Sequence, residues 1–287
     1  MKVYIKRFSR SVNATYRLMT AEKRALPDFI AIGAQKCGTT SLYYYLNQHP
    51  QILPAARKEV HFFDNQFQKG VHWYRSRFPL SLNMNFQEKL RSKPVITGEA
   101  SPLYFFHPLV PIRLSRLLPQ VKLIVLLRNP IHRSYSHYQH NVRKKRERLS
   151  FEDAIANEDN RLEGELDRIL RDESYFSFNY THFSYLKRSI YIEQIKAYNR
   201  FFDRNQVLII KSEDFYTNIQ NTLTRVFNFL GVEPFVLRDT RPKNVGIYRE
   251  GSISASTYNY LKKYFEPHNR RLYEYLGIDF QWQSEPV

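Results

Sequence analysis

A single cysteine, Cys37, stands among 287 residues, so no disulfide can close within the chain and a zinc site built from several thiolates is excluded. That usage fits a reducing compartment, and the expected location is cytoplasmic. Long apolar runs are missing from the N-terminus. MKVYIKRFSRSVNATYRLMTAEKRALPDF starts basic and breaks each apolar stretch within a few residues, giving neither a signal-peptide core nor a membrane span. Residues 1–26 are read as a basic arm or short helix, and 27–287 as one domain. Repeats and low-complexity segments are missing too. Acidic residues are in deficit: 27 Asp and Glu face 44 Lys and Arg, a formal charge of +17. The surplus points to an acidic ligand such as nucleotide, nucleic acid, sulfated glycan or anionic membrane, without choosing among them.

What is present suffices for a sizeable core, with 43% hydrophobic and 15% aromatic residues. Short apolar runs at 29–32, 95–97, 122–127 and 207–210 suit buried parallel strands, and helical stretches follow most of them. Helices are expected over 39–48, 108–118, 131–145, 151–170, 186–202, 219–230 and 256–276. Ser150 followed by Asp153 gives the fourth a start signal of capping-box type. The alternation predicts an α/β fold: three α/β/α layers around a central, mostly parallel sheet.

The stretch FIAIGAQKCGTTSLYYYL, residues 29–46, places a glycine-bounded turn between an expected strand and an expected helix. Such a turn aims backbone N–H groups at one point and makes an anion site. Gly33 and Gly38 keep the spacing of a nucleotide-binding P-loop, but Thr39 stands where NTPases carry the lysine that grips the β- and γ-phosphates. Lys36 lies inside the loop instead, where it can lean over a group attached to a cradled phosphate. A turn that merely joins strand to helix is the plain alternative. Arg128 ends an apolar run before Asn129–Pro130 and can fork onto phosphate oxygens, while Ser136 falls in the following helix and can donate its hydroxyl; a surface arginine and an exposed helical serine are the plain alternative.

GAQKCGTTSLYYYLNQHPQI resembles the 5′-phosphosulfate-binding loop of sulfotransferases that use 3′-phosphoadenosine 5′-phosphosulfate (PAPS), above all the heparan sulfate 3-O- and N-sulfotransferase group and related soluble bacterial enzymes. KEVHFFD and KGVHWYRSRFP (58–64 and 69–79) resemble the catalytic segment of that family. LIVLLRNPIHRSYSHY (123–138) resembles its 3′-phosphate strand and helix, and YFEPHNRRLYEYLGIDFQW (264–282) its closing helix and tail. The resemblance implies a sulfotransferase fold and sulfuryl transfer from PAPS, leaving 3′-phosphoadenosine 5′-phosphate (PAP), with no metal. It makes Glu59 the general base, Lys36 the cation on the leaving phosphate and His61 an assistant that orients the acceptor or shares the proton. Gly33, Gln35, Lys36, Cys37, Gly38, Thr39 and Thr40 would hold the 5′ end of the donor, Arg128 and Ser136 its 3′-phosphate. Tyr248 and Gly251 would lie in a loop closing over the donor, with Lys243 and Arg249 beside them. Lys58, Asp64 and Trp73 are acceptor-side candidates.

One position departs from the pattern. Heparan-modifying members carry a lysine where GEASPLYFF (98–106) has Ala100, and Lys58 is the expected substitute. The acceptor is left open between a glycan and a small molecule; no nucleic acid is expected, and the oligomeric state is unreadable. A P-loop kinase using ATP and magnesium, and a non-catalytic polyanion- or nucleic-acid-binding module, are the rival functions. The run RKKRER (143–148) is read as a solvent-facing helix end, and His137 with His140 as a helix pair lacking a third metal ligand.

Overall fold

The computed structural model describes residues 12–241, 243 and 253–282. Five strands, β1 (Phe29–Gly33), β2 (Ile52–Pro54), β3 (Ile96–Ala100), β4 (Lys122–Leu127) and β5 (Val207–Lys211), form one sheet in the order β2-β3-β1-β4-β5. Every pairing is parallel. β1 is buried at all five positions and β4 at its last five, as their unbroken apolar runs require of strands covered on both faces. β2 was not foreseen. It has three residues, ends on Pro54 and occupies the sheet edge, where a missing N–H breaks no ladder.

Among the described residues from Thr20 onward the helices of at least eight residues are α1 (Thr39–Leu46), α2 (Ser81–Arg91), α3 (Val110–Leu117), α4 (Pro130–Arg143), α5 (Tyr191–Asn199), α6 (Ile219–Leu230) and α7 (Ala255–Leu276). The expected helix over 151–170 is three short pieces, Phe151–Ala156, Glu158–Leu162 and Glu165–Arg171. Gly164, at φ +69°, turns the chain between the last two. Buried Glu158 accepts the N–H groups of Leu186 and Lys187, tying this region to a distant segment. The expected 186–202 helix likewise opens as a 3-10 turn, Lys187–Ser189, before α5. α2 was unforeseen; it buries only Met84 and leaves Leu82, Phe86 and Leu90 outward.

Residues 12–19 are helical, and Arg17 donates to the carbonyls of Ser76 and Phe78, so this part of the basic arm is fastened to the sheet-bearing body. Among the described residues no helix is long and apolar enough to cross a membrane. The sheet order places the site. The chain runs β1, β2, β3 on one side of β1 and then crosses to β4 on the other, so a crevice opens at the strands' C-terminal ends.

Candidate active site

The loop after β1 fills that crevice. The Ala34 N–H donates to Leu126 O at 2.8 Å, and the Cys37 N–H closes a turn onto Ala34 O at 3.2 Å. The Ser212 hydroxyl at the end of β5 holds Cys37 O at 2.9 Å. Each bounding glycine has its own cause. A Cβ on Gly33 would lie 2.4 Å from Phe105 Cβ, which forbids a side chain by packing. Gly38 has φ +102°, and a Cβ there would meet Tyr216 Oη at 2.8 Å. α1 starts one residue later, so its first-turn N–H groups, which a helix cannot satisfy internally, face the loop.

Gln35, Lys36, Gly38, Thr39, Thr40, Lys58, Glu59, Arg128 and Ser136, all singled out in the sequence, line one cleft of about 570 Å³. Asn129 caps α4 by accepting the Ile131 N–H at 3.0 Å, and Tyr191 Oη donates to Arg128 O at 2.8 Å, which fixes Arg128 at the mouth. Gly33 and Cys37 are buried behind the loop rather than at its surface. Burial pushes the Cys37 thiol up to about 11, so it is a packing residue and not an activated thiol.

His61 and Asp64 stand behind Glu59. His61 Nδ1 lies 2.7 Å from Asp64 Oδ2 and its Nε2 3.3 Å from Glu59 Oε2, while Lys58 Nζ donates to Glu59 Oε1 at 2.6 Å. His61 meets Glu59 through a left-handed residue at the start of a helical turn (φ +56°), not through strand alternation. Asp64 is wholly buried on this imidazole and does not line the cleft. Trp73 is also outside it, between the cations of Lys69 and Arg77 at 4.8 and 4.3 Å from its ring. Tyr248, Arg249 and Gly251 lie outside the described residues; Lys243 of the same segment lines the cleft, its N–H donating to Ser41 Oγ at 2.9 Å.

The charges follow from these contacts. Partial burial would raise the Glu59 carboxyl, but His61 and Lys58 override it and hold it down at about 2. Burial would lower His61; the carboxylates of Asp64 and Glu59 instead lift it to about 10. Lys36 is brought down to about 8 by burial and then by Arg143 and Arg128. Beneath this segment Glu99 is fully buried, accepting from Val60 N, Ser101 Oγ, Tyr74 Oη and Tyr104 Oη at 2.6 to 3.2 Å, and burial raises it to about 7.

The cleft also takes His140, weighed in the sequence only as a metal ligand, and His132, Ser212, Glu213, Tyr216 and Thr217, which sequence reasoning passed over. The last four follow β5 directly, and the end of a predicted strand was the available signal. His140 lines the cleft with its imidazole lowered to about 4 by burial and then by Lys36 and Arg143, whereas His137 is buried edge-on against Tyr185 at 5.1 Å. The basic run 143–148 is not wholly solvated, because its one acid, Glu147, is buried against Arg161 at 2.6 Å.

The profile of the family described as "Sulfotransferase domain" matches residues 26–242. A solved sulfotransferase from Alicyclobacillus acidocaldarius is similar at 30% identity and a TM-score of 0.65, covering 91% of this chain and all of its own. Among curated proteins, "Membrane-associated sulfotransferase kil1" of Dictyostelium discoideum is 28% identical over 99% of this chain and 72% of its own length. "Heparan sulfate glucosamine 3-O-sulfotransferase 3B1" of Mus musculus is 29% identical over 91% of this chain and 66% of its own length.

Proposed function

The chain belongs to the sulfotransferase family, and from that membership we propose that it moves a sulfuryl group from PAPS to a hydroxyl or amine of an acceptor. One observation carries the reading: the loop cation Lys36 and the carboxylate Glu59 line the same cleft, at the sheet's switch point, in a loop whose NTPase lysine position is held by Thr39. The donor fits the residues present. Gly38 has no room for a side chain, hydroxyls of Thr39, Thr40 and Ser136 line the cleft, and Lys36, Lys58, Arg128 and Lys243 give it positive charge.

PAPS, when bound, supplies a sulfuryl group whose leaving oxygen belongs to its 5′-phosphate. The α1 N-terminus with Gly38, Thr39 and Thr40 would hold that phosphate, and Arg128 with Ser136 the 3′-phosphate. Gly33 and Cys37 support the loop from behind. Lys36 would bring a positive charge to the oxygen on which negative charge accumulates. Glu59, ionised at any ordinary pH, takes the acceptor's proton, and His61, held by Asp64, orients its Oε2. Lys58 stands in for the missing lysine: its carbonyl accepts the Ala100 N–H at 3.0 Å, so it adjoins the departed position and also lines the cleft.

A carbohydrate hydroxyl is the first acceptor class to test, on the strength of the relatives named for heparan sulfate glucosamine. A cytoplasmic site of action is part of this reading and is checked by fractionation. The donor assignment is tested by thermal melting. PAP at a hundredfold excess over its Kd should stabilise the protein by about 2.7 kcal/mol, several degrees, with ATP and magnesium giving less. A shift with ATP and magnesium alone would favour a kinase.

A further inference from the structure

Arg188, in the 3-10 turn before α5, is 1% exposed and has no carboxylate within ion-pair distance among the described residues. Its guanidinium lies 4.8 Å from the Phe106 ring centroid, and NH2 donates to the carbonyls of Tyr180 and Thr181 at 2.9 and 3.0 Å. Its remaining bond, NH1 to Gln35 Oε1 at 2.6 Å, reaches into the loop after β1 from 153 residues away. A buried cation compensated only by an aromatic face and by carbonyl and amide oxygens is costly unless its field is used.

Arginine has no acceptor, so the end of the Gln35 amide that faces it must be Oε1. The amide is therefore locked with its Nε2 group turned away from Arg188, and Nε2 has no hydrogen-bond partner among the described residues. Gln35 lines the same cleft as Lys36 and Glu59. A guanidinium on the carbonyl end also polarises the amide and strengthens its N–H groups as donors.

We propose that Arg188 is a positioning residue, which fixes Gln35 so that its Nε2 donates to a non-bridging oxygen of the sulfuryl group during transfer. This rests on the sulfotransferase reading above. Lys36 serves the leaving oxygen and Gln35 the group in flight, two adjacent loop residues with separate tasks. Arg188 itself touches neither donor nor acceptor.

The test is a double-mutant cycle on the full chain, with Arg188→Met, Gln35→Ala and the two combined, reading kcat, both KM values and the PAP-induced melting shift. Each single change should lower kcat roughly 10- to 100-fold with KM values and the PAP shift little altered. The double variant should be no slower than Gln35→Ala alone. Independent, multiplicative losses would overturn the proposal, as would a raised acceptor KM at unchanged kcat.

Because Arg188→Met can fail to fold, Gln35→Glu gives a second arm. It keeps an oxygen on Arg188 but replaces the donor with a carboxylate, and should retain the melting temperature while losing kcat by at least the same factor. A working wild type with an unimpaired Gln35→Glu overturns this inference alone. A wild type that neither responds to PAP nor transfers sulfuryl overturns the underlying reading and this one with it.

Discussion

Glu59 is flanked by two cations and stays ionised far below neutrality, so its proposed role as base should leave no acid limb in the pH profile above about pH 4. Glu59→Gln removes the proposed proton acceptor without changing shape. The PAP-induced melting shift should survive and turnover should fall by roughly 10²- to 10⁴-fold; turnover within twofold of wild type would remove Glu59 from the chemistry. On the proposed mechanism Lys36 should set the opposite limb. Its folded pKa is lowered to about 8, so the free enzyme loses the loop's positive charge as pH rises through that value. kcat/KM for the donor should therefore decline above about pH 8, and in Lys36→Arg, whose guanidinium stays charged, that decline should vanish while the absolute rate drops. An unchanged alkaline limb in Lys36→Arg would assign it to another group.

At the scale of elements, the end of β3 holds in place the segment that carries the proposed base. Ala100 N–H binds Lys58 O, Glu99 and Ser101 receive the Val60 N–H, and Ser101 the His61 N–H at 3.3 Å, so Glu59 is pinned from both neighbours. Glu99→Gln turns an amide NH₂ onto groups that are themselves donors, which should cost roughly 1–3 kcal/mol in urea unfolding and lower turnover through misplacement of Glu59. The pH dependence has a definite sign. Glu99 binds its proton more tightly folded, at about 7, than at its ordinary 4.5, so its contribution to stability is complete below 4.5 and is lost as pH rises through 7. Glu99→Gln should flatten the wild-type fall in stability over that window; an unchanged slope would show that Glu99 does not titrate there.

Elements that carry their own punctuation were legible in the sequence. β1, β4 and β5 are uninterrupted apolar runs, and α1, α4, α6 and α7 begin and end within a few residues of expectation. The stretch 151–171 was not, because its breaks come from Gly164 in a left-handed turn and from Glu158 binding a segment 28 residues on. The same division holds in the cleft. Lys36, Glu59, Arg128 and Lys243 sit in recognisable local patterns, and Ser212 to Thr217 could have been sought at the end of β5, whereas the Arg188–Gln35 bond joins residues 153 apart, which no local pattern encodes.

At the scale of the whole molecule, the residues proposed for donor and acceptor chemistry gather at one end of the sheet. The crossing from β3 over β1 to β4 opens the crevice, and the loops after β1, β4 and β5 each bring groups to it. The chain carries a formal charge of +17 and its cleft is lined by four Lys and Arg side chains among the described residues, so donor capture should be steered electrostatically. Raising salt from about 0.05 to 0.5 M should raise KM for PAPS with little change in kcat; a salt-independent KM would confine the charge to other partners. The measurement that tests the central claim most directly is transfer of labelled sulfuryl from PAPS across a panel of carbohydrate and small-molecule hydroxyls and amines, by wild type and Glu59→Gln side by side. Labelled product from at least one acceptor with wild type, falling at least a hundredfold with Glu59→Gln, is the predicted result; equal transfer by the two proteins, or none from PAPS by a wild type that binds ATP with magnesium, would contradict it.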